Sequence, residues 1–335
     1  MVPISVLDLS FVREGDTPRQ ALLESLELAR KAEELGFKRF WMAEHHGMAG
    51  VASAATSVAL SFIGAGTSSI RIGAGGIMLP NHPPLVIAEQ FGTLESLYPG
   101  RIDLGLGRAP GTDQKTLRAL RRTYDSADTF PQDVQELQLY FAHPSSDQAV
   151  HAVPGEGLEI PVWLLGSSLY SAQLAAYLGL PFAFASHFAP EHLLSALDLY
   201  RREFRPSATL PKPHVMAAAN VVVADTDEEA EFLFSSAKLG VLSLLKGRPG
   251  KMEHPVSDVD ANWTEEERAG VERFLKYSFV GNPAKVREAL TKFVEMTGAD
   301  EIITTARIYD LAARLRSFEL LASAFVASRA ACGQP

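Results

Sequence analysis

Glu44, His45 and His46 stand side by side in the stretch FWMAEHHGMAG, directly after an apolar run. A carboxylate beside two imidazoles has the donor set of a divalent-metal site, and equally the make-up of a proton-transfer pair. The run before them reads as a strand, and successive side chains of a strand face opposite ways. Adjacent histidines therefore cannot close on one ion while the strand continues, and no HxH pair or HExxH helix supplies further ligands. No metal is expected here. What remains is a proton-handling histidine, or two structural ones, one packed on the core and one capping a loop. The structural role suits His46 better.

A second stretch, LLGSSLYSAQLAA (164–176), puts small residues where a strand meets a helix. Free backbone N–H groups at a helix start, with the positive end of its dipole, bind phosphate. Ser167, Ser168 and Ser171 could add hydroxyl donors around Gly166. Ordinary serine N-capping explains the same residues. Arg108 tips the balance, because it ends the preceding strand and a guanidinium grips phosphate. The third stretch, GAGGIML, bares a strand at Gly73, Gly75 and Gly76. Such bareness suits a flat ligand against the backbone, or else a bulge or tight packing between strands.

These residues need a frame. Strand-like runs at 4–9, 39–45, 70–79, 101–109, 161–168, 181–188, 215–225 and 300–307 alternate with helical patterns. Most are apolar on both faces, as parallel strands covered by helices should be. In the first helix, Thr17 is placed to cap, Pro18 suits the first turn and Gly36 stops it. Eight strand–helix units over 335 residues predict a (β/α)8 barrel of class α/β, as one domain spanning 1–335. A doubly wound sheet would carry a glycine-rich first turn, and SFVREGDTP has a single glycine. Insertions are expected after strands 4 and 7, at 110–127 and 246–263. The second is polar and rich in Gly, Pro and Asp, and reads as a lid or as a disordered surface excursion. In such a barrel chemistry gathers at the C-terminal ends of strands. Those ends carry Glu44–His46, Asn81-His82, Arg108, Ser167-Ser168, Ser186-His187 and Arg307.

The net charge of −9 argues against nucleic acid or an anionic membrane as partner. The one cysteine, Cys332, rules out a disulfide within the chain and a thiolate zinc site. MVPISVLDLS lacks a basic n-region, and no segment has the length of a membrane span, so the expectation is a soluble, cytoplasmic protein.

With AEHH (43–46), the long run 73–113, VWLLGSSLYSAQLAAYLGLPFAFASHF (162–188) and VGNPAKVREAL (280–290), the chain resembles the bacterial luciferase-like family of flavin-dependent monooxygenases, in its single-component-type branch. The resemblance implies a (β/α)8 barrel and FMN, reduced by NAD(P)H directly or by a partner flavin reductase. It makes His45 the catalytic base and Arg108 the phosphate ligand, with Gly166, Ser167, Ser168 and Ser171 nearby. It places a cis peptide at Gly75–Gly76, beside the flavin ring, and implies a homodimer through 53–66 and 83–97. The chain departs from the light-emitting members in three places. Gly107 stands where they have a reactive cysteine, Pro110 lies near a backbone donor they use, and Ser167 replaces an acidic residue. The function this implies is oxygenation of a small organic substrate with reduced FMN and O2. F420-dependent hydride transfer is the alternative, followed by a flavin-binding protein with little turnover, and last a metal-dependent barrel hydrolase.

Overall fold

A computed structural model describes residues 2–330 apart from Pro110 and Asp147, with no side-chain description for Tyr124 and 326–330. Pro110 and Cys332 therefore lie outside the described residues. In chain order the elements are β1 (Ile4–Asp8), α1 (Pro18–Glu34), β2 (Arg39–Met42), α2 (Thr56–Ala65), β3 (Arg71–Met78), α3 (Pro84–Leu97) and β4 (Ile102–Gly107). Then come α4 (Gln114–Ala119), α5 (Phe130–Phe141), β5 (Val162–Gly166), α6 (Leu169–Leu178), β6 (Phe182–Phe184), α7 (Leu193–Glu203) and β7 (Val215–Val223). The last are α8 (Asp227–Leu245), α9 (Glu265–Phe274), β8 (Ser278–Gly281), α10 (Pro283–Thr297), β9 (Glu301–Thr305) and α11 (Leu311–Ala330). Local signals act as their chemistry requires. The Thr17 hydroxyl accepts from the Gln20 N–H at 3.2 Å, and α6 ends at Gly179 with φ 63°.

Strands β1 to β7 and β9 pair in parallel and close into an eight-stranded barrel, β9 lying between β7 and β1 and β6 pairing with β7. The ninth strand, β8, pairs only with the outer end of β7, through Asn220–Val223. The helical pattern of EEERAGVERFLKYSF (265–279) does not hold to its end. The helix stops at Phe274, and Ser278–Gly281 instead extends β7 beyond the barrel wall. The excursion after β7 therefore runs from α8 to β8, with 246–263 as its central loop. That loop is not a loose surface excursion. Met252 exchanges backbone hydrogen bonds with Val12 and Glu14, Ser236 Oγ donates to the Glu253 carbonyl at 2.8 Å, and His254 stacks on Tyr309. It forms a strap tied to the segment that follows β1. The insertion after β4 holds α4 and a 3-10 turn at Tyr124–Ala127.

Alternate residues of each strand fill the barrel in layers. The lowest is ionic. Arg39 bonds Asp103 at 2.6 Å and Glu301 at 2.9 Å, and Arg71 bonds Asp103 at 2.6 Å. Against the upward push of burial, His214, Arg39, Lys38 and Ser5 hold the Glu301 carboxyl down at about 2. Above it Leu7, Trp41, Trp163, Ala183, Met216 and Ile303 form an apolar plug, the two indoles meeting edge-on at 5.3 Å. Gly73 and Gly75 face Trp41, whose ring would lie 2.8 and 3.0 Å from an added Cβ. Much of the bareness of β3 is thus filled by the protein's own tryptophan. Gly76 instead lets β4 approach, its added Cβ falling 2.7 Å from the Gly105 carbonyl.

Candidate functional site

Continuing the alternation upward places His45, His187, Asn220 and Arg307 around the C-terminal mouth, above the tryptophan layer. His45 has the inward parity of Trp41 and Ala43, and Glu44 the outward parity of Met42. The peptide between Gly75 and Gly76 is cis, and here the β3–β4 register shifts between Ala74 and Ile77.

Burial keeps both mouth histidines neutral. The His45 imidazole is held below 6.5 by desolvation, opposed by the Gly111 backbone and the Glu44 charge. The ring of His187 falls to about 4, by burial and by proximity to His45. The Nδ1 of His187 is buried and has no hydrogen-bond partner among the described residues, as do Thr305 Oγ1 and Arg307 Nε. Buried polar atoms without partners at the barrel mouth mark places where a ligand can complete the bonding.

Behind His45, Glu44 organises two loops. Its Oε1 accepts from His46 Nε2 at 2.7 Å and from His82 Nε2 at 2.8 Å, and its Oε2 from the Met78 N–H at 3.1 Å. Burial alone would raise this carboxyl, but the three donors and the His82 charge bring it to about 2. The segment after β4 docks on the same place, with His46 N–H donating to the Gly111 carbonyl and Thr112 to the His46 carbonyl. His46 thus belongs to a carboxylate-centred bracket. His82, which sequence reasoning noted only as a strand end, completes it. Glu44, His46 and His82 offer three potential metal-ligand atoms within 4.8 Å of one another, a different trio from the adjacent one considered above. Their spacing is that of two hydrogen bonds.

Across the mouth, β4 and β5 end together, with Leu106 paired to Leu164. Arg108 is exposed, forms no ion pair among the described residues, and lies over the Tyr170 ring with its Cζ 4.2 Å from the centroid. Ser168 is the N-cap of α6, in extended conformation, and its hydroxyl caps nothing. Ser167 and Gly166 are half-buried beside it. Ser171 is buried instead and packs on Gly166, whose added Cβ would lie 2.2 Å from the serine Cβ. An unpaired guanidinium, an uncommitted hydroxyl and the first amides of a helix make a corner suited to a phosphate. Tyr170 was not singled out from sequence, where an aromatic two residues into a helix looks like any surface residue. With the unpartnered atoms of the mouth, these residues fit a phosphorylated planar cofactor.

Known proteins share this architecture. The family model described as luciferase-like monooxygenase matches residues 2–301. A luciferase-like monooxygenase of Escherichia coli strain K12 is 54% identical over 95% of this chain and 96% of its own length. N-acetyl-S-alkylcysteine monooxygenase of Bacillus subtilis strain 168 is 33% identical over 98% of this chain and all (100%) of its own. The crystal structure of apo-MsnO8 superposes with a TM-score of 0.90 at 36% identity, covering 97% of this chain and 99% of that one. Two more distant structures share the fold alone. One is the oxygenating constituent of 3,6-diketocamphane monooxygenase from Pseudomonas putida in complex with FMN, with a TM-score of 0.73 at 17% identity over 96% of both chains. The other is an F420-dependent secondary alcohol dehydrogenase, with a TM-score of 0.72 at 16% identity over 96% of this chain and 98% of that one. Among the described residues no helix is long and apolar enough to cross a membrane.

Proposed function

The chain belongs to the luciferase-like monooxygenase family, and from that premise we propose that it binds FMN and uses the reduced flavin with O2 to oxygenate a small organic substrate. The observation that carries this reading is the corner of Arg108, Tyr170 and the uncapped start of α6, set beside a mouth of neutral histidines. Arg108 and Ser168 hold the phosphate, with Ser167 and Gly166 alongside and Ser171 packed beneath as support. The ring system would rest on the backbone of Gly75 and Gly76, whose Cβ sides are already filled by Trp41 and by β4. Bound there, reduced FMN supplies the electrons that activate oxygen. His45, neutral at pH 7, accepts a proton at an imidazole nitrogen or holds one by hydrogen bond. Glu44, through His46 and His82, fixes the loops on either side of it. The strap 246–263 and the 110–127 segment keep water from the mouth.

The whole chain, 1–335, serves this site as one barrel domain. Electrons come from NAD(P)H, directly or by way of a flavin reductase. Exposed Val58, Phe62, Val86 and Leu97 on α2 and α3 suit pairing with a second copy. The chain of the F420-dependent dehydrogenase has the same fold, so deazaflavin is the competing cofactor. The test follows the reoxidation of photoreduced FMN on mixing with air. Wild type should change its rate relative to free FMN, and His45→Gln should alter that change while still binding flavin. A rate indifferent to the protein, together with tight binding of F420, would replace oxygenation by hydride transfer.

A further inference from the structure

Around the closed barrel β9 and β1 lie opposite β4 and β5. A flavin anchored at Arg108 therefore leaves the β9–β1 sector of the mouth for whatever it acts on. Arg307 is the charged group of that sector. It follows Glu301, Ile303 and Thr305 on the inward parity of β9, and its guanidinium lies over the Phe11 ring at 5.0 Å. Its Nε is sealed from solvent and has no hydrogen-bond partner among the described residues. The nearest acidic influence is Glu253 on the strap, which forms no ion pair with it and whose Oε1 accepts from Ser243 at 3.4 Å.

Space for this guanidinium is built in. A Cβ on Gly240 of α8 would lie 2.2 Å from Arg307 Cζ. Burial, only partly opposed by the Glu253 charge, lowers the group to about 10, still cationic at pH 7. Elsewhere in the barrel, buried arginines are matched. Arg39 has Asp103 and Glu301, and Arg314 has Asp8 at 2.7 Å. A half-buried arginine whose sealed Nε has no partner among the described residues, set beside an aromatic ring, is an incomplete ion pair, and a planar fork is completed best by a carboxylate.

We infer that Arg307 is the docking point for a carboxylate on the substrate, which makes the substrate a small organic acid held with its apolar part toward Phe11. This rests on the flavin reading for the identity of the reaction but not for the existence of the anion site.

The probes are 3-phenylpropanoate and 3-phenylpropanamide, which differ in charge and match the aromatic lining. Each is titrated calorimetrically into FMN-saturated and flavin-free full-length protein. The acid should bind wild type at least about 30-fold more tightly than the amide, the order expected when one partner of a buried charge pair is missing. Arg307→Gln should abolish that preference with FMN affinity unchanged, and Arg307→Lys should keep part of it. Equal affinity of acid and amide for wild type, or no binding of either, overturns the inference without using any variant. Loss of FMN binding in Arg307→Gln also overturns it, by moving Arg307 into the cofactor site. Wild type that prefers the acid through Arg307 yet takes no FMN would sink the flavin reading and leave the anion site standing.

Discussion

Glu44→Gln keeps the shape of a side chain that is 1% exposed and removes only its charge. Two imidazole N–H groups lose a charged acceptor, and the Met78 N–H is left facing an amide NH2. The carboxyl sits at about 2 in the folded protein against 4.5 unfolded, and at about 1.4 kcal/mol per unit that is roughly 3 kcal/mol of stability at pH 7. The sign follows from the direction. A depressed carboxyl stabilises the fold above pH 4.5, and that stability is lost as pH falls from there toward 2. Urea unfolding at pH 7 should place Glu44→Gln about 3 kcal/mol below wild type. Between pH 6 and pH 4 wild type should lose about 0.8 kcal/mol more than the variant, the part of one proton's titration that falls in this window. Equal midpoints at pH 7, or a gap that does not narrow on acidification, would refute the bracket around Glu44.

Three further outcomes follow from the geometry. His187 is held near 4 against 6.5 unfolded, so the unfolded chain binds the extra proton and stability falls as pH drops from 6.5 toward 4; His187→Gln should flatten that part of the pH–stability curve. Gly50→Ala drives a Cβ to 2.1 Å from the Gly250 carbonyl, so limited proteolysis should cut within 247–256 faster than in wild type, whereas unchanged cleavage would mean the strap is not seated there. Gly105→Ala meets the Ala74 carbonyl at 2.3 Å, backbone against backbone, and should lower stability by about 2 kcal/mol or more in thermal unfolding.

Alternation along single strands was legible. It separates His45, which faces the mouth with Trp41 and Ala43, from Glu44 and His46, which turn away together. The barrel was legible for the same reason, since each buried strand is a short apolar run between helical periods. The bracket was not. His82 reaches Glu44 from a loop 38 residues on, and no period marks such a meeting. Nor could the glycines of β3 reveal that Trp41 occupies their space, because a bare strand looks the same whether a ligand or a neighbouring ring fills it. The short β8 was hidden because KYSFVG continues the apolar spacing of the helix before it. Arg307 was visible as a strand end, but its lack of an acidic partner is a property of the assembled mouth.

The central claim is that Arg108 and the start of α6 hold the phosphate of a flavin. Titrating FMN and riboflavin into wild type and Arg108→Ala, by quenching of flavin fluorescence, tests it most directly. Wild type should prefer FMN to riboflavin, and Arg108→Ala should bring the two to equal, weakened affinity. FMN affinity unaffected by Arg108→Ala, or no preference for the phosphorylated flavin in wild type, would contradict the site as drawn.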